Sequence, residues 1–356
     1  MSATKKILIG VSLAVLMVGG WFGAKWLALF EKGLEPGEVQ EKMQPSSSQG
    51  LNQPPSVVSE NKASTRKIKT VATGLDTPWS IVFTSDTRLL VAERPGRIRV
   101  IVDGRLLEKP LHTFAEVSET GEEGLMSLAL HPQYAENRFL YASLAYSEAG
   151  EMWVKVIRLV DTGDRLENAT ILLDRIPAAR YHAGSRLTFG PDGKLYIATG
   201  DATEKNLAQD MNSLAGKILR LNADGSIPDN NPFPGKAIWS SGHRNPQGLA
   251  WHPDTGVLYA TEHGPSVFDG PAGGDEVNLI EKGKNYGWPL VSHEKRRAGT
   301  EAPLITYTPA EAPASLLIYS GRANADWRGN LFFGALRGEG LVRLVVDPHD
   351  PKKILS

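Results

Sequence analysis

The 356-residue sequence contains no cysteine, which excludes disulfide bonds, thiol catalysis, cysteine-ligated zinc and a lipidated N-terminal cysteine. An excess of positive charge is also lacking, since the formal net charge is −1 and no long basic stretch stands out. Phosphate binding needs concentrated lysine and arginine, so we expect no nucleic-acid partner. A hydrophobic fraction of 41% beside 22% charged residues is ordinary for a globular protein and argues against wholesale disorder.

One long apolar run is present at the N-terminus. Residues 7–24 follow Lys5 and Lys6 and carry no charge, which is close to the length of a membrane-spanning helix. Positive charge before the run predicts a cytoplasmic N-terminus and a body in the periplasm or outside the cell. We therefore predict an N-terminal transmembrane helix that anchors the protein within residues 1–32. A cleaved signal peptide, which also exports the body, is the alternative.

The composition changes after the apolar run. Residues 33–65 are rich in proline, serine, glutamine, glutamate and asparagine. Such a segment has too few apolar groups to offset the entropy lost on ordering, so it is predicted to be a disordered linker. The folded domain is predicted to occupy residues 66–356.

A short pattern recurs within that domain: a turn, a leucine and then an alternating apolar strand. It is found at residues 87–93, 137–143, 193–199, 256–262 and 329–335. Units of about 40–50 residues with four short strands each are typical of propeller blades, with any excess in loops. A β-sandwich is the alternative, but it would show strand spacing without a recurring motif. The sequence therefore predicts an all-β protein with the β-propeller fold.

Two clusters outside the repeat carry side chains suited to catalysis. His182 lies in YHAGSR just before the third repeat strand, and histidine is the natural general base. A structural histidine in a turn is the alternative interpretation. Arg244 and Asn245, in GHRNPQG, place a planar cation beside an amide, a pair suited to carboxylates and carbonyls.

Two further clusters offer oxygen ligands. Gly264 and Pro265, in EHGP, could turn backbone carbonyls towards one point, and such oxygens suit calcium. Glu276 lies in DEVN, and Tyr286 follows in NYGWP. These acidic and turn residues could serve a calcium ion or simply cap a turn.

Long ordered motifs extend from about Val71 to the C-terminus. They are TGLDTPWSIVF at 73–83, ERPGRI at 93–98, HAGSRLTFGPDGKLYIATGD at 182–201, AQDMNSLAGKILRLNADGSIPDNNPF at 208–233, GHRNPQGLAW at 242–251 and NYGWP at 285–289. In these motifs the sequence resembles the glucose/sorbosone dehydrogenase family, the soluble aldose sugar dehydrogenases that depend on pyrroloquinoline quinone (PQQ). The resemblance implies a six-bladed propeller with PQQ over the central channel. It also implies oxidation of an aldose at the anomeric carbon to a lactone.

The resemblance implies roles for individual residues. His182 matches the base that takes the proton of the anomeric hydroxyl while hydride passes to the quinone. Arg244 and Asn245 match residues that hold and polarise the quinone. Positive charge at that point would stabilise the oxygen that becomes anionic.

Two calcium ions are also implied. Gly264 and Pro265 match the backbone carbonyls on the calcium that grips PQQ. Glu276 and Tyr286 match a second, structural calcium site, again largely through main-chain oxygens.

The sequence departs from the family pattern at three places. Glu122, predicted to contact the cofactor, replaces the usual glutamine, and a carboxylate near an acidic cofactor is repulsive unless it is protonated or paired. Arg337, also predicted to bind the cofactor, replaces a lysine and keeps the charge without the compact ammonium shape. The chain ends at Ser356, before the family's final Arg-x-Arg segment. We therefore expect a C-terminally truncated chain or an incomplete last blade.

The leading functional hypothesis is a PQQ- and calcium-dependent aldose dehydrogenase. One alternative is a metal-dependent lactonase-type hydrolase, because propellers also host central metal sites. The other is a non-catalytic extracytoplasmic binder of sugar or protein. The expected partners are an aldose, an electron acceptor of open identity and the membrane through the N-terminal helix.

Overall fold

The computed structural model describes residues 69–356. The predicted anchor at 1–32 and linker at 33–65 lie outside the described residues. Within the described part, no helix has the length and apolarity needed to cross a membrane. Helical structure there is limited to short segments, namely α1 (Tyr134–Asn137) and the 3₁₀ turns Lys205–Ala208 and Ala325–Trp327. The described residues are therefore almost entirely β-strand and loop, as the sequence predicts.

The strands pair antiparallel and form six sheets in chain order. Sheet 1 contains β1 (Pro78–Phe83), β2 (Arg88–Glu93), β3 (Arg97–Val102), β4 (Arg105–Leu106) and β5 (His112–Thr113). Sheet 2 contains β6 (Leu125–Leu130), β7 (Phe139–Glu148), β8 (Glu151–Asp161) and β9 (Leu166–Pro177). Sheet 3 contains β10 (Gly184–Phe189), β11 (Leu195–Thr199), β12 (Lys217–Leu221) and β13 (Ile238–Ser241).

The remaining sheets follow in the same way. Sheet 4 contains β14 (Pro246–Trp251), β15 (Leu258–Glu262), β16 (Asp275–Ile280) and β17 (Ile305–Tyr307). Sheet 5 contains β18 (Pro313–Ile318), β19 (Leu331–Ala335) and β20 (Gly340–Leu344). Sheet 6 contains β21 (Val346–Asp347) and β22 (Asp350–Ile354).

The order of strands in sheets 1–5 is that of propeller blades. Each sheet is a meander in which consecutive strands are hydrogen-bonded neighbours, with β5 as a side branch on β3. The resemblance implied six blades, but the described residues form a five-blade arrangement. After β20 the chain forms only the short pair β21–β22, which is too small to make a blade. Six blades are therefore not confirmed.

The recurring sequence pattern falls on the second strand of each blade, namely β2, β7, β11, β15 and β19. The residues of β11 and β15 are buried throughout, because neighbouring blades cover both faces of these strands. Alternation places successive side chains on opposite faces. Leu140 thus packs with residues of sheet 1, whereas Tyr141 packs with residues of sheet 3.

The same alternation continues along the chain. Tyr196 packs with residues of sheet 4, and Ile197 with residues of sheet 2. Leu258 packs with sheet 3, and Tyr259 with sheet 5. Each apolar cluster therefore joins two consecutive blades, and these shared cores fix how the loops at the blade ends meet.

Replacing Leu140 by alanine tests this packing. Leu140 is fully buried between sheets 1 and 2, so we expect the free energy of unfolding in urea to fall by about 2–5 kcal/mol. The control is Leu317→Ala, because Leu317 also lies on a strand but is 59% exposed. A loss for Leu140→Ala no larger than for the control would contradict the packing described here.

Candidate functional site

The loop that enters β10 carries the predicted base in a constrained backbone. His182 has a φ of 64°, in the left-handed region that a non-glycine residue adopts only when its surroundings enforce it. Gly200 approaches it so closely that an added Cβ would lie 1.8 Å from the carbonyl oxygen of His182. The carbonyl oxygen of His182 also accepts the amide of Ala202 at 3.2 Å. The end of β11 therefore holds the His182 backbone in place.

The imidazole of His182 is oriented by Asp201. Nδ1 lies 2.8 Å from Oδ1 of Asp201, a residue only 1% exposed. The carboxylate of Asp201 also accepts the indole N–H of Trp288 at 2.7 Å and the amide of Thr203 at 2.8 Å. A carboxylate can only accept, so Nδ1 carries the hydrogen, and in the neutral imidazole Nε2 keeps the lone pair. Nε2 makes no hydrogen bond within residues 69–356.

Asp201 was not among the predicted site residues, although a repeat in the sequence points to it. It follows the repeat strand β11, just as Glu262 ends the repeat strand β15. Glu262 accepts a hydrogen bond from Nδ1 of His243 at 2.9 Å, and both histidines precede their acids by 19 residues. Both acids therefore stand at or just after the end of a repeat strand, which is the signal in the sequence that points to them.

Arg244 is buried and held by several groups. Its Nε donates to Asp269 at 2.9 Å, Nη1 to the carbonyl of His263 at 3.3 Å and Nη2 to the hydroxyl of Ser266 at 3.1 Å. The guanidinium carbon lies 5.6 Å from the centre of a Trp288 ring. A residue only 3% exposed therefore presents a fixed positive charge.

Asn245 and Glu122 connect the loops at the starts of three blades. Oδ1 of Asn245 accepts the amide of Gly184 at 3.1 Å, and its Nδ2 donates to Oε2 of Glu122 at 3.3 Å. The same Oε2 accepts the amide of His182 at 3.1 Å. The carboxylate of Glu122 is thus hydrogen-bonded to His182 and Asn245 and holds the two loops together. The sequence alone had suggested an unpaired carboxylate that would repel an acidic cofactor.

Next to it, Glu123 is fully buried. Burial raises its pKa to about 8, and the negative charge of Glu122 adds to the rise, although the amide of Ala179 opposes it. Oε1 accepts that amide at 3.2 Å, and Oε2 has no hydrogen-bond partner within the described residues. Glu123 is therefore uncharged at neutral pH.

A cavity of about 10 Å³, the space of about one water-sized particle, lies beside Arg244. The predicted calcium residues all line it, together with Glu262. These are Gly264, Pro265, Glu276 and Tyr286. Burial and, to a smaller extent, the negative charge of Glu262 raise the pKa of Glu276 to about 8. Two carboxylates beside backbone carbonyls form an oxygen-rich wall that could hold a hard cation.

Backbone oxygens would have to complete such a site. Within residues 69–356, no three His, Asp or Glu side chains are grouped so that they could hold a metal. The hydroxyl of Tyr286 donates to the carbonyl of Leu279 at 2.6 Å and accepts the amide of Glu281 at 2.8 Å. Tyr286 could therefore contribute only its main chain.

Arg337 is not linked to these groups by its side chain. That side chain is exposed and makes no hydrogen bond or ion pair within the described part of the chain. Its amide donates to the carbonyl of Glu311 at 3.1 Å. Hydrogen bonds or a shared cavity therefore connect every predicted site residue except Arg337.

Known proteins are similar in sequence to this chain over most of its length. The family model described as Glucose / Sorbosone dehydrogenase matches residues 75–354. The aldose sugar dehydrogenase of Escherichia coli (strain K12) is 34% identical over 299 residues, which cover 77% of this chain and 78% of that relative. The quinoprotein glucose dehydrogenase B of Acinetobacter calcoaceticus is 31% identical over 278 residues, which cover 69% of this chain and 57% of that relative.

A solved structure is similar as well. The PQQ-bound form of aldose sugar dehydrogenase from Streptomyces coelicolor has a TM-score of 0.70 and 34% identity to this chain. The match covers 80% of this chain and 81% of that one. The fold and the sequence motifs therefore point to the same group of proteins.

The raised pKa of Glu123 predicts a pH dependence of stability. The ordinary pKa of a glutamate is 4.5, and that of folded Glu123 is about 8. Its contribution to stability is therefore fully present below pH 4.5 and is lost as pH rises towards 8. Between pH 5 and 7.5, Glu123→Gln should gain about 3 kcal/mol of unfolding free energy relative to wild type.

The measurement is urea unfolding at both pH values. Glu119→Gln is the matched control, because Glu119 is exposed and paired with Arg94, and it should follow the wild-type pH dependence. A Glu123→Gln variant with the same pH dependence as wild type would show that Glu123 is ionised in the folded protein.

Proposed function

Because the chain belongs to the glucose/sorbosone dehydrogenase family, we propose that it oxidises an aldose at the anomeric carbon to a lactone, using PQQ and calcium. The observation that carries the proposal is the imidazole of His182, held through Nδ1 by Asp201 and unpartnered at Nε2. The PQQ-bound relative from Streptomyces coelicolor supports the choice of cofactor. PQQ, when bound, supplies the acceptor for the hydride that leaves the anomeric carbon.

His182 is the general base of the proposed reaction. Its Nε2 lone pair takes the proton of the anomeric hydroxyl, and Asp201 stabilises the imidazolium that results. Trp288 and Thr203 hold Asp201 through 2.7 Å and 2.8 Å hydrogen bonds, so the ring neither rotates nor changes tautomer. Help from a positioned base is worth roughly 10²–10⁴-fold in rate.

Arg244 and Asn245 would hold the cofactor. After its contacts with the protein, Arg244 keeps an N–H on each of Nη1 and Nη2, and these donors fit an acidic quinone. A buried, fixed cation stabilises negative charge that develops beside it. Glu122 supports this arrangement by accepting hydrogen bonds from the side chain of Asn245 and from the amide of His182. Arg337 is proposed as a further cofactor contact.

The cavity next to Arg244 fits calcium. Glu262 and Glu276 supply carboxyl oxygens, and a bound cation would favour the ionised form of Glu276, whose pKa is raised to about 8 by burial and by the negative charge of Glu262. Gly264, Pro265 and the main chain of Tyr286 line the same space. Calcium there would be held by carboxylate and carbonyl oxygens, which it prefers.

The N-terminal run motivates a proposal about location. Lys5, Lys6 and the uncharged residues 7–24 would anchor the protein and place residues 66–356 in the periplasm or outside the cell. The linker at 33–65 would separate this domain from the membrane. The electron acceptor would then meet the domain in that compartment.

The first test is turnover in protein loaded with PQQ and calcium, measured as reduction of an electron-accepting dye by aldoses. His182→Ala should lower kcat by roughly 10²–10⁴-fold, and Asp201→Asn should lower it because the ring loses its acceptor. His349→Ala, a change in an exposed turn, is the control. Wild-type protein that binds no PQQ and reduces no dye would refute the proposed function.

The second test concerns the metal. Calcium should raise the midpoint of thermal unfolding of wild-type protein, because a ligand that binds only the folded state stabilises it. Glu276→Gln removes one of the carboxylates at the cavity and should abolish most of that increase. Glu281→Gln, at an exposed carboxylate paired with Lys352, should keep it. An equal calcium response in both variants would place the metal elsewhere.

A further inference from the structure

The loop at Ser266–Gly270 closes on itself around Asp269. Oδ1 of Asp269 accepts the amide of Ser266 at 2.6 Å. The carbonyl of Ser266 accepts the amides of Asp269 and Gly270 at 3.1 Å and 3.0 Å. One carboxylate oxygen is therefore used to shape the loop, and the other, Oδ2, reaches Nε of Arg244 at 2.9 Å.

Apolar packing does not hold this loop. Val267 and Phe268, at its tip, are 81% and 77% exposed. The loop is attached instead by polar contacts, of which those to Arg244 join it to the loop that enters the same blade, sheet 4. The position of the loop and the orientation of the guanidinium therefore depend on each other.

Asp269 is the only carboxylate that pairs with the Arg244 side chain within the described residues. The Asp269 side chain is 17% exposed and the Arg244 side chain 3%, so solvent weakens the pair less than it does a surface ion pair. The other contacts of the guanidinium are a carbonyl and a hydroxyl. Without Asp269, Nε would lose its charged acceptor.

We propose that Asp269 is the positioning residue of Arg244: by engaging Nε, it fixes the guanidinium so that an N–H on each of Nη1 and Nη2 stays available to an acidic ligand. The identity of that ligand as PQQ rests on the proposed function. The positioning itself is a property of the cofactor-free protein. Asp269 acts through Arg244 and touches no reacting atom.

Asp269→Asn is the sharpest test, because it keeps the size of the side chain. Asp269 uses one oxygen for Ser266 and the other for Arg244, and in asparagine one of these two positions becomes an NH₂, which cannot accept. In full-length, cofactor-free protein, the Nε–H signal of Arg244 should be protected from solvent exchange in an NMR spectrum, lose part of that protection in Asp269→Asn and lose all of it in Asp269→Ala, which removes both oxygens. Arg244→Lys identifies the signal by its disappearance.

Two further measurements use PQQ itself. Asp269→Asn should weaken PQQ binding, followed by fluorescence titration, by roughly 10- to 100-fold, since a hydrogen bond to a charged group has been lost. With PQQ saturating, kcat should fall while KM for the aldose changes by less than about twofold, because Arg244 acts on charge that develops during the reaction. A merely structural role would not separate kcat from KM.

Asp254→Asn is the matched control, because Asp254 also pairs with an arginine, Arg328, but at an exposed site. It should leave Nε–H protection at Arg244 and PQQ affinity unchanged.

Combining Asp269→Asn with Arg244→Lys should weaken PQQ binding no further than Arg244→Lys alone, since a residue that acts through Arg244 has nothing left to position. Asp269→Glu keeps the carboxylate and should retain a protected signal, which provides a second variant if Asp269→Asn does not fold.

The proposal is overturned if the Nε–H signal stays protected in Asp269→Ala, if Asp269→Glu loses it, or if the effects of the double variant are additive. These outcomes are distinct from failure of the proposed function. Wild-type protein that binds no PQQ would refute that function, whereas the exchange measurement on cofactor-free protein would still decide whether Asp269 positions Arg244.

Discussion

Two buried carboxylates at the ends of repeat strands are the constraint on which the site depends. Asp201 and Glu262 are buried, and buried carboxylates must be fully hydrogen-bonded to be tolerated. Each accepts a histidine from the loop that enters its own blade, and Asp201 also accepts Thr203 after β11 and Trp288 after β16. Asp201 thereby fixes the ring of His182, and Glu262 accepts both His243 and the amide of Arg244. The hydrogen bonds that make these buried carboxylates tolerable therefore also position His182 and Arg244, the groups proposed for chemistry.

The charges of the site are arranged unevenly. Positive charge is concentrated at Arg244, whereas Glu122, Glu262 and Glu276 bring carboxyl groups to the same region. Glu122 is compensated by two N–H donors, but Glu276 has a raised pKa and shares its cavity with Glu262. This imbalance supports a cation at the cavity, and the paired Glu122 explains how a carboxylate can stand close to an acidic cofactor.

Much of this structure could be predicted from sequence, for physical reasons that differ between its parts. The second strands of the blades were located because burial on both faces imposes a continuous apolar run, as in Leu195–Thr199. The five recurring segments also match the five blades of the described residues, whereas the six blades that the resemblance implied are not confirmed. Asp201 and Asp269 escaped prediction because their partners, 19 and 25 residues away, are set by the meeting of loops. Locally, each resembles a residue that caps a turn.

The central claim is that this chain breaks the bond to hydrogen at the anomeric carbon with His182 as base. The most direct test is the single-turnover rate of sugar oxidation by PQQ-loaded protein, compared for an aldose and the same aldose deuterated at that carbon. The account predicts a primary isotope effect in wild-type protein that persists, at a much lower rate, in His182→Ala. Equal rates for both sugars in each protein, under conditions where sugar binding is saturated, would contradict it.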